Sequence, residues 1–195
     1  MNRIWMIHLC LFVLIASLSL RPILSAETDS CTDEDYAIFG AALKEMCSKQ
    51  KTESAALIDL TSQVPPNWPN VIRRPGKTLI QEVPTEVRED FESRNRNRAK
   101  IDVDKIKAQF QILPVNNMDV EALLRKGGWG AIHQKYPNVQ SFASLSRPGM
   151  NRARNRALLY VSVWCGSVCG GGSLVLLSKE SDEWKVTNVV TVWEA

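Results

Sequence analysis
The order of apolar patterns in this 195-residue chain predicts an α+β fold, with N-terminal helices packed on a C-terminal antiparallel meander sheet. Helical apolar spacing dominates the chain just after residue 30. Four runs rich in β-branched, leucine and aromatic residues fill the last third, at 141–146, 157–164, 173–179 and 184–193. The segments between them (RPGMNRARNR, CGSVCGGG and ESDE) are too short to carry crossovers, so these runs are expected to pair antiparallel.

Residues 1–26 have the anatomy of a secretory signal peptide. Arg3 supplies a positive start, an apolar run extends from Ile4 to Leu20, and Ala26 precedes the polar stretch ETDSCTDED. Leu24 departs from the small-residue pattern of a cleavage site. An uncleaved membrane anchor is the alternative, although the apolar run is shorter than the roughly 20 residues a spanning helix needs. Residues 27–195 are then expected to form a single α+β domain, exported to the periplasm or the extracellular space.

Within that domain, Thr32 caps a helix whose first turn holds Asp33, Glu34 and Asp35, where the helix dipole favours acids. Tyr36, Phe39, Leu43 and Met46 repeat on one face of it, through about Ser48. AALIDLT at 55–61 reads as a short strand. Pro65, Pro66, Pro69 and Pro75 make 63–78 a loop. Thr85–Arg94 reads as a short helix, and 105–115 as a strand ended by Pro114. A further helix opens at 119–125, with Val120, Leu123 and Leu124 apolar, and weakens at Gly127-Gly128.

The chain carries 24 Lys+Arg against 21 Asp+Glu, a net +3. Arg3 and Arg21 lie in the leader, and without them the domain is near neutral, which gives no electrostatic case for nucleic-acid binding. Membrane contact is expected only if the leader is retained. No cofactor or metal motif is present: Asp33, Glu34 and Asp35 lack the spacing and glycine of a calcium loop.

Five cysteines are present, of which Cys10 lies in the leader. Cys31, Cys47, Cys165 and Cys169 are disulfide candidates in an oxidising compartment. A straight helix would hold Cys31 and Cys47 about 24 Å apart at 1.5 Å per residue, far beyond the roughly 7 Å a disulfide allows. Cys165 and Cys169 sit in VSVWCGSVCGGGSLVLL, between two apolar runs. Their spacing is not the two-residue gap of redox dithiols. A metal site there would need Cys47 and His133 as further ligands. The reading preferred is a disulfide closing a hairpin tip, with a bond from one of them to Cys31 or Cys47 as the alternative.

The most concentrated charge lies in two loops, Arg94, Arg96 and Arg98 in one, and Arg147, Arg152, Arg154 and Arg156 in the other. Both are candidate anion-binding loops. Trp164, Trp184 and Trp193 fall in strands and are expected to pack, whereas Trp68 and Trp129, flanked by proline and glycine, are expected to be exposed. Catalytic candidates are sparse. His133 has no nucleophile tied to it by a motif, and Asp59 and Thr61 at a strand end are explained by turn chemistry.

The strings SLSRPGMN, ALLYVSVWCGSVCGGG, LVLLSKESDEWKV and the final VW resemble a group of uncharacterised exported bacterial proteins. Members of that group share an S-R-x-G-x-N turn, a Y-V strand, a C-G-x-x-C-G loop and a K-x-x-x-x-W-K strand. DYAIFGAAL, ALIDLT and REDFESRNR are similar to its N-terminal helix, strand and helix. The resemblance spans about residues 35–195 and is densest over 136–193. It implies a shared exported fold and no established activity. Met150 departs from the group's usual aromatic, and Gly172-Ser173-Leu174 from a more aromatic stretch.

These features favour a non-enzymatic binding or interaction module of the cell envelope or extracellular space. The alternative is a small-ligand-binding or hydrolytic domain with a pocket between helix and sheet, NTF2-like by fold analogy, using Asp59, Tyr36 or His133. A pocket with convergent polar groups would favour the second.

Overall fold
The capped apolar stretch near the N-terminus forms helix α1 (Asp33–Ser48) in the computed structural model, which describes residues 30–48, 54–65, 68, 83–108, 111–139 and 141–195. The leader 1–26 and most of the proline-rich stretch 63–78 lie outside the described residues. At the start of α1, Asp35 N–H donates to Thr32 Oγ1 at 3.3 Å and Thr32 N–H donates to Asp35 Oδ2 at 2.9 Å. This reciprocal box closes two otherwise unmet backbone donors.

Strand β1 (Ser54–Ile58) is followed by helix α2 (Thr85–Arg94), a 3-10 turn at Val103–Lys105, strand β2 (Gln111–Val115) and helix α3 (Asn117–Lys135). Then come β3 (Phe142–Leu145), the two-residue β4 (Gly149–Met150), β5 (Arg156–Gly166), β6 (Cys169–Glu180) and β7 (Glu183–Glu194). One sheet holds them in the order β2-β1-β3-β5-β6-β7, with β4 against β5.

The α+β composition agrees with the sequence, but the sheet is mixed, not a pure antiparallel meander. β1 pairs parallel with both β2 and β3, whereas β3, β5, β6 and β7 pair antiparallel. The reason lies in the connections. The chain between β1 and β2 carries α2, and that between β2 and β3 is α3, so each returns the chain in the same direction. Helices are therefore interleaved with strands and not confined to the N-terminus. The strand expected at 105–115 shortens to β2, which lies at the sheet edge, where Pro114 removes no needed ladder donor.

Alternation along the strands sends side chains to two layers. Leu57, Ala143, Leu145, Leu159, Val161, Val175 and Leu177 meet Phe39, Ala42 and Leu43 of α1 on one face. On the other, Leu158, Tyr160, Leu174 and Leu176 meet Val87 and Phe91 of α2. Further along that second face, Ala56 and Phe142 meet Val120 and Ile132 of α3. Trp68, expected in an exposed loop, is instead 7% exposed, its ring edge-on to Phe91 at 5.2 Å. Burial of its apolar ring outweighs the turn-forming prolines around it.

The glycine run after Cys169 is also strand and not loop. β5 reaches Gly166, a tight turn holds Ser167 and Val168, and β6 starts at Cys169. A Cβ on Gly172 would lie 2.2 Å from Trp193 Nε1 and 2.3 Å from the Tyr160 hydroxyl. Trp193 Nε1 donates to that hydroxyl at 2.7 Å, and its ring stacks with Trp164 at 6.4 Å. The missing side chains make room for two indoles to lie across the strand, a known use of strand glycine.

Cys165 and Cys169 are disulfide-bonded across the hairpin, with Cα atoms 5.1 Å apart. Closing a loop of this size stabilises by about 2 kcal/mol. Cys31 is not in a disulfide: it is a half-buried free thiol. α1 is continuous through Gly40, which rules out a bend that would bring residue 47 back to residue 31. The side chain of Cys47 lies outside the described residues.

Candidate ligand clefts
The second face of the sheet is not fully covered. α2 seals it over Leu158 and Tyr160, and α3 seals it over Ala56 and Phe142. Between them the inward positions are the small Ser144 and Ser162, whose hydroxyls hydrogen-bond to each other at 2.7 Å. Ser144 borders a cleft of about 420 Å³ beneath α3, within the size range of small-molecule sites.

Aromatic rings line one side of this cleft, Trp129 from α3, Phe142 from β3 and Trp164 from β5. Trp129 reaches it because α3 breaks at Gly127-Gly128 and then resumes. Gly128 has φ 59° and ψ −148°, a backbone state open essentially to glycine alone. After the break the Trp129 ring turns toward Phe142, 6.0 Å away, and Ile132 is buried beneath the second half of the helix. The expectation that the helix fades at these glycines thus locates the kink but not the continuation to Lys135.

Polar groups also line the cleft. Thr61 N–H donates to the Ala99 carbonyl at 2.8 Å and its Oγ1 accepts from Ala99 N–H at 2.7 Å. This pair of hydrogen bonds to Ala99 places the neighbouring Arg98 at the cleft, where its solvent-exposed guanidinium has no hydrogen-bond or ion-pair partner among the described residues. Ser62 Oγ, also in the lining, is buried without a hydrogen-bond partner. An orphaned buried hydroxyl costs free energy that a ligand would recover. Glu121 adds a carboxylate at the rim, but it already accepts from Asn117 Nδ2 at 2.8 Å and lies 3.9 Å from Arg125 Nη1.

The catalytic candidates do not converge here. Asp59 accepts from Asn117 N–H at 3.0 Å and from Asn116 Nδ2 at 3.3 Å, tying the start of α3 to the end of β1. Tyr36 is on the buried face of α1, its hydroxyl accepting from Asp102 N–H at 3.0 Å. His133 is exposed on α3, against Trp129 at 5.9 Å. It cannot share a metal with Cys165 and Cys169, whose sulfurs are bonded to each other.

The two arginine loops come together only in part. Arg94, Arg147, Arg152 and Arg154 line a second cleft of about 280 Å³, whereas Arg98 belongs to the first and Arg96 and Arg156 line neither. Arg94 is not a solvated loop residue. It is 8% exposed and donates to both oxygens of the fully buried Asp35, at 2.9 and 2.8 Å, and to the Pro148 carbonyl. Asp35, expected only as a helix-start acid, is its counter-ion across 59 residues of chain. No local pattern marks that pair. Arg147 is 5% exposed, held at its backbone by Asn95, whose Oδ1 and Nδ2 each bond it at 2.8 Å.

Ser146, Gly149 and Asn151 hold the SRPGMN turn. Ser146 Oγ accepts from Tyr160 N–H at 2.9 Å, and Gly149 lies against Phe91 of α2. Asn151 Oδ1 accepts from the N–H groups of Asn155 and Arg156, both at 3.0 Å, closing the loop that carries Arg152 and Arg154. Close by, burial pushes the Cys31 thiol up to about 11, with the Asp35 carboxylate adding to it and the Arg147 and Arg94 charges opposing it. Alkylation of the folded protein near pH 7.5 is therefore expected to spare Cys31, and alkylation after denaturation to label it, as read by peptide mass spectrometry. Finding Cys31 in a disulfide, or labelled as fast as a free peptide, would contradict this environment.

No family model matches the chain, and neither curated proteins nor solved structures give a significant match. No helix among the described residues is long and apolar enough to cross a membrane.

Proposed function
We propose that the protein is an exported, non-enzymatic binding module whose cleft beneath α3 takes a small apolar or aromatic molecule bearing one acidic group. The observation that carries this is the meeting, in one cleft, of three aromatic rings with the buried, unpartnered Ser62 Oγ and the solvent-exposed guanidinium of Arg98. Such sites bind through apolar contact and are made specific by a few placed polar groups. Asp59 and Tyr36 are committed to holding the fold and His133 faces solvent, which supports binding over hydrolysis. The Cys165–Cys169 disulfide supports an oxidising compartment, as does the resemblance of the C-terminal strings to exported proteins.

Anilinonaphthalene sulfonate has the required chemistry, fused rings and one anionic group. Titrated into the purified protein, it is expected to bind saturably at one site with quenching of tryptophan emission. Arg98→Gln should weaken it about tenfold or more, since a hydrogen bond to a charged group contributes about 1.5–3 kcal/mol. Unsaturable binding, or an unchanged affinity in Arg98→Gln, would refute the assignment.

A further inference from the structure
The second cleft carries a separate conclusion, independent of the first. Its lining contains the guanidinium groups of Arg94, Arg147, Arg152 and Arg154 and one carboxylate, Asp90. Arg94 is neutralised by Asp35, whose two oxygens it engages from below. Asp90 is committed to the backbone, its Oδ2 accepting from Met150 N–H at 2.7 Å. Glu86, beside the loop, meets only the backbone N–H of Arg152 among the described residues, at 3.4 Å.

Arg147 is the telling residue. Its guanidinium is buried, its Nε has no hydrogen-bond partner, and its Nη2 reaches only the Ser30 carbonyl, at 3.4 Å. No carboxylate pairs with it among the described residues. A buried guanidinium without a counter-ion is costly, and proteins keep such charges only where something balances them. The loop around it is set in advance: Asn95 fixes the Arg147 backbone and Asn151 clamps the turn that presents Arg152 and Arg154. Arg154 adopts φ 51° within that clamp, its N–H donating to the Asn151 carbonyl at 2.9 Å.

We infer that this cleft is a binding site for a tetrahedral oxyanion of the phosphate or sulfate class. Arg147, Arg152 and Arg154 set against Asp90 leave a doubly positive lining, which matches a dianion better than a single carboxylate. Glu34, near Arg154, lies outside the cleft and is already paired with Lys179. Guanidinium groups bind such oxygens in bidentate fashion, and several acceptor oxygens on one centre can meet several guanidinium groups at once. The volume of about 280 Å³ admits one such group with water or a small attached moiety.

Calorimetric titration of the purified protein at low ionic strength tests this with three probes: inorganic phosphate, sulfate and acetate. Phosphate and sulfate are expected to bind saturably at one site, and acetate at least tenfold more weakly. Equal binding of phosphate and sulfate assigns the site to tetrahedral dianions as a class, and a preference of tenfold or more assigns it to the preferred ion. Arg152→Gln combined with Arg154→Gln, both exposed, should weaken phosphate at least tenfold, while Arg96→Gln, in neither cleft, should not change it. Arg147→Met should abolish the rise in melting temperature that phosphate gives the parent, and should melt no lower than the parent when phosphate is absent. Absence of saturable phosphate and sulfate binding, acetate binding equal to theirs, or undiminished binding in the Arg152/Arg154 double variant would overturn the site. So would an Arg147→Met protein destabilised equally with and without phosphate, since that would make Arg147 a structural prop.

Discussion

Asp35→Ala is expected to lower the free energy of unfolding by about 3–5 kcal/mol, the usual cost of removing one partner from a buried ion pair. Urea denaturation followed by tryptophan fluorescence measures it. Asp35 is fully buried and meets Arg94 through two bonds of 2.9 and 2.8 Å while also closing the α1 capping box through Thr32. Its loss leaves Arg94 charged in the interior beside Arg147, a second buried guanidinium. Replacing both partners with apolar residues, as in Asp35→Leu with Arg94→Met, should recover a large part of the loss, because the stranded charge is what costs most. A single substitution that changes stability by less than about 1 kcal/mol would mean that the pair contributes no more than a surface contact.

Gly149→Ala is expected to cost about 3 kcal/mol, at the upper end of ordinary overpacking. A Cβ at Gly149 would stand 2.4 Å from the backbone nitrogen and Cα of Phe91, so no side-chain rotation can relieve the clash. β4 and α2 would have to separate, loosening Phe91 against Leu158 and Tyr160. Gly130→Ala is the control, since nothing lies within 4 Å of a Cβ there. It should leave the melting temperature of the protein unchanged or slightly raised.

The contrast between these glycines shows what the sequence could and could not convey. Local patterns were readable. Thr85–Arg94 is helical over the range its composition suggested, and the strands β5, β6 and β7 lie where apolar runs and short turns placed them. What escaped depends on residues far apart in the chain. The parallel pairing of β1 with β2 and β3 is set by which strands become neighbours after two helical crossovers, and strand composition does not encode that. The glycines at 170–172 have the composition of a turn, but the space they leave is filled by Trp193, more than twenty positions on. Arg94 and Arg147 look like loop cations until Asp35, Pro148 and Ser30 are brought beside them.

The two clefts were legible to different degrees. The basic loops announced one of them, although only Arg94, Arg147, Arg152 and Arg154 meet there, with Arg94 internally neutralised. The cleft beneath α3 had no sequence signature. It lies beside Ser144, whose small side chain faces Ser162 across β3 and β5, where Gly128 turns Trp129 back over the sheet. Serine in a strand is unremarkable until its cross-strand partner is known.

The cleft beneath α3 is proposed as the ligand site. Its most direct test is a two-dimensional amide and indole NMR titration of the isotopically labelled protein with anilinonaphthalene sulfonate. Saturable shifts are expected, concentrated at Ser62, Asn117, Leu124 and the indole N–H groups of Trp129 and Trp164, all of which line the cleft. Leu113 on β2, an exposed apolar residue away from the cleft, should stay unmoved. Shifts that scatter over such exposed apolar residues and never saturate would contradict that assignment.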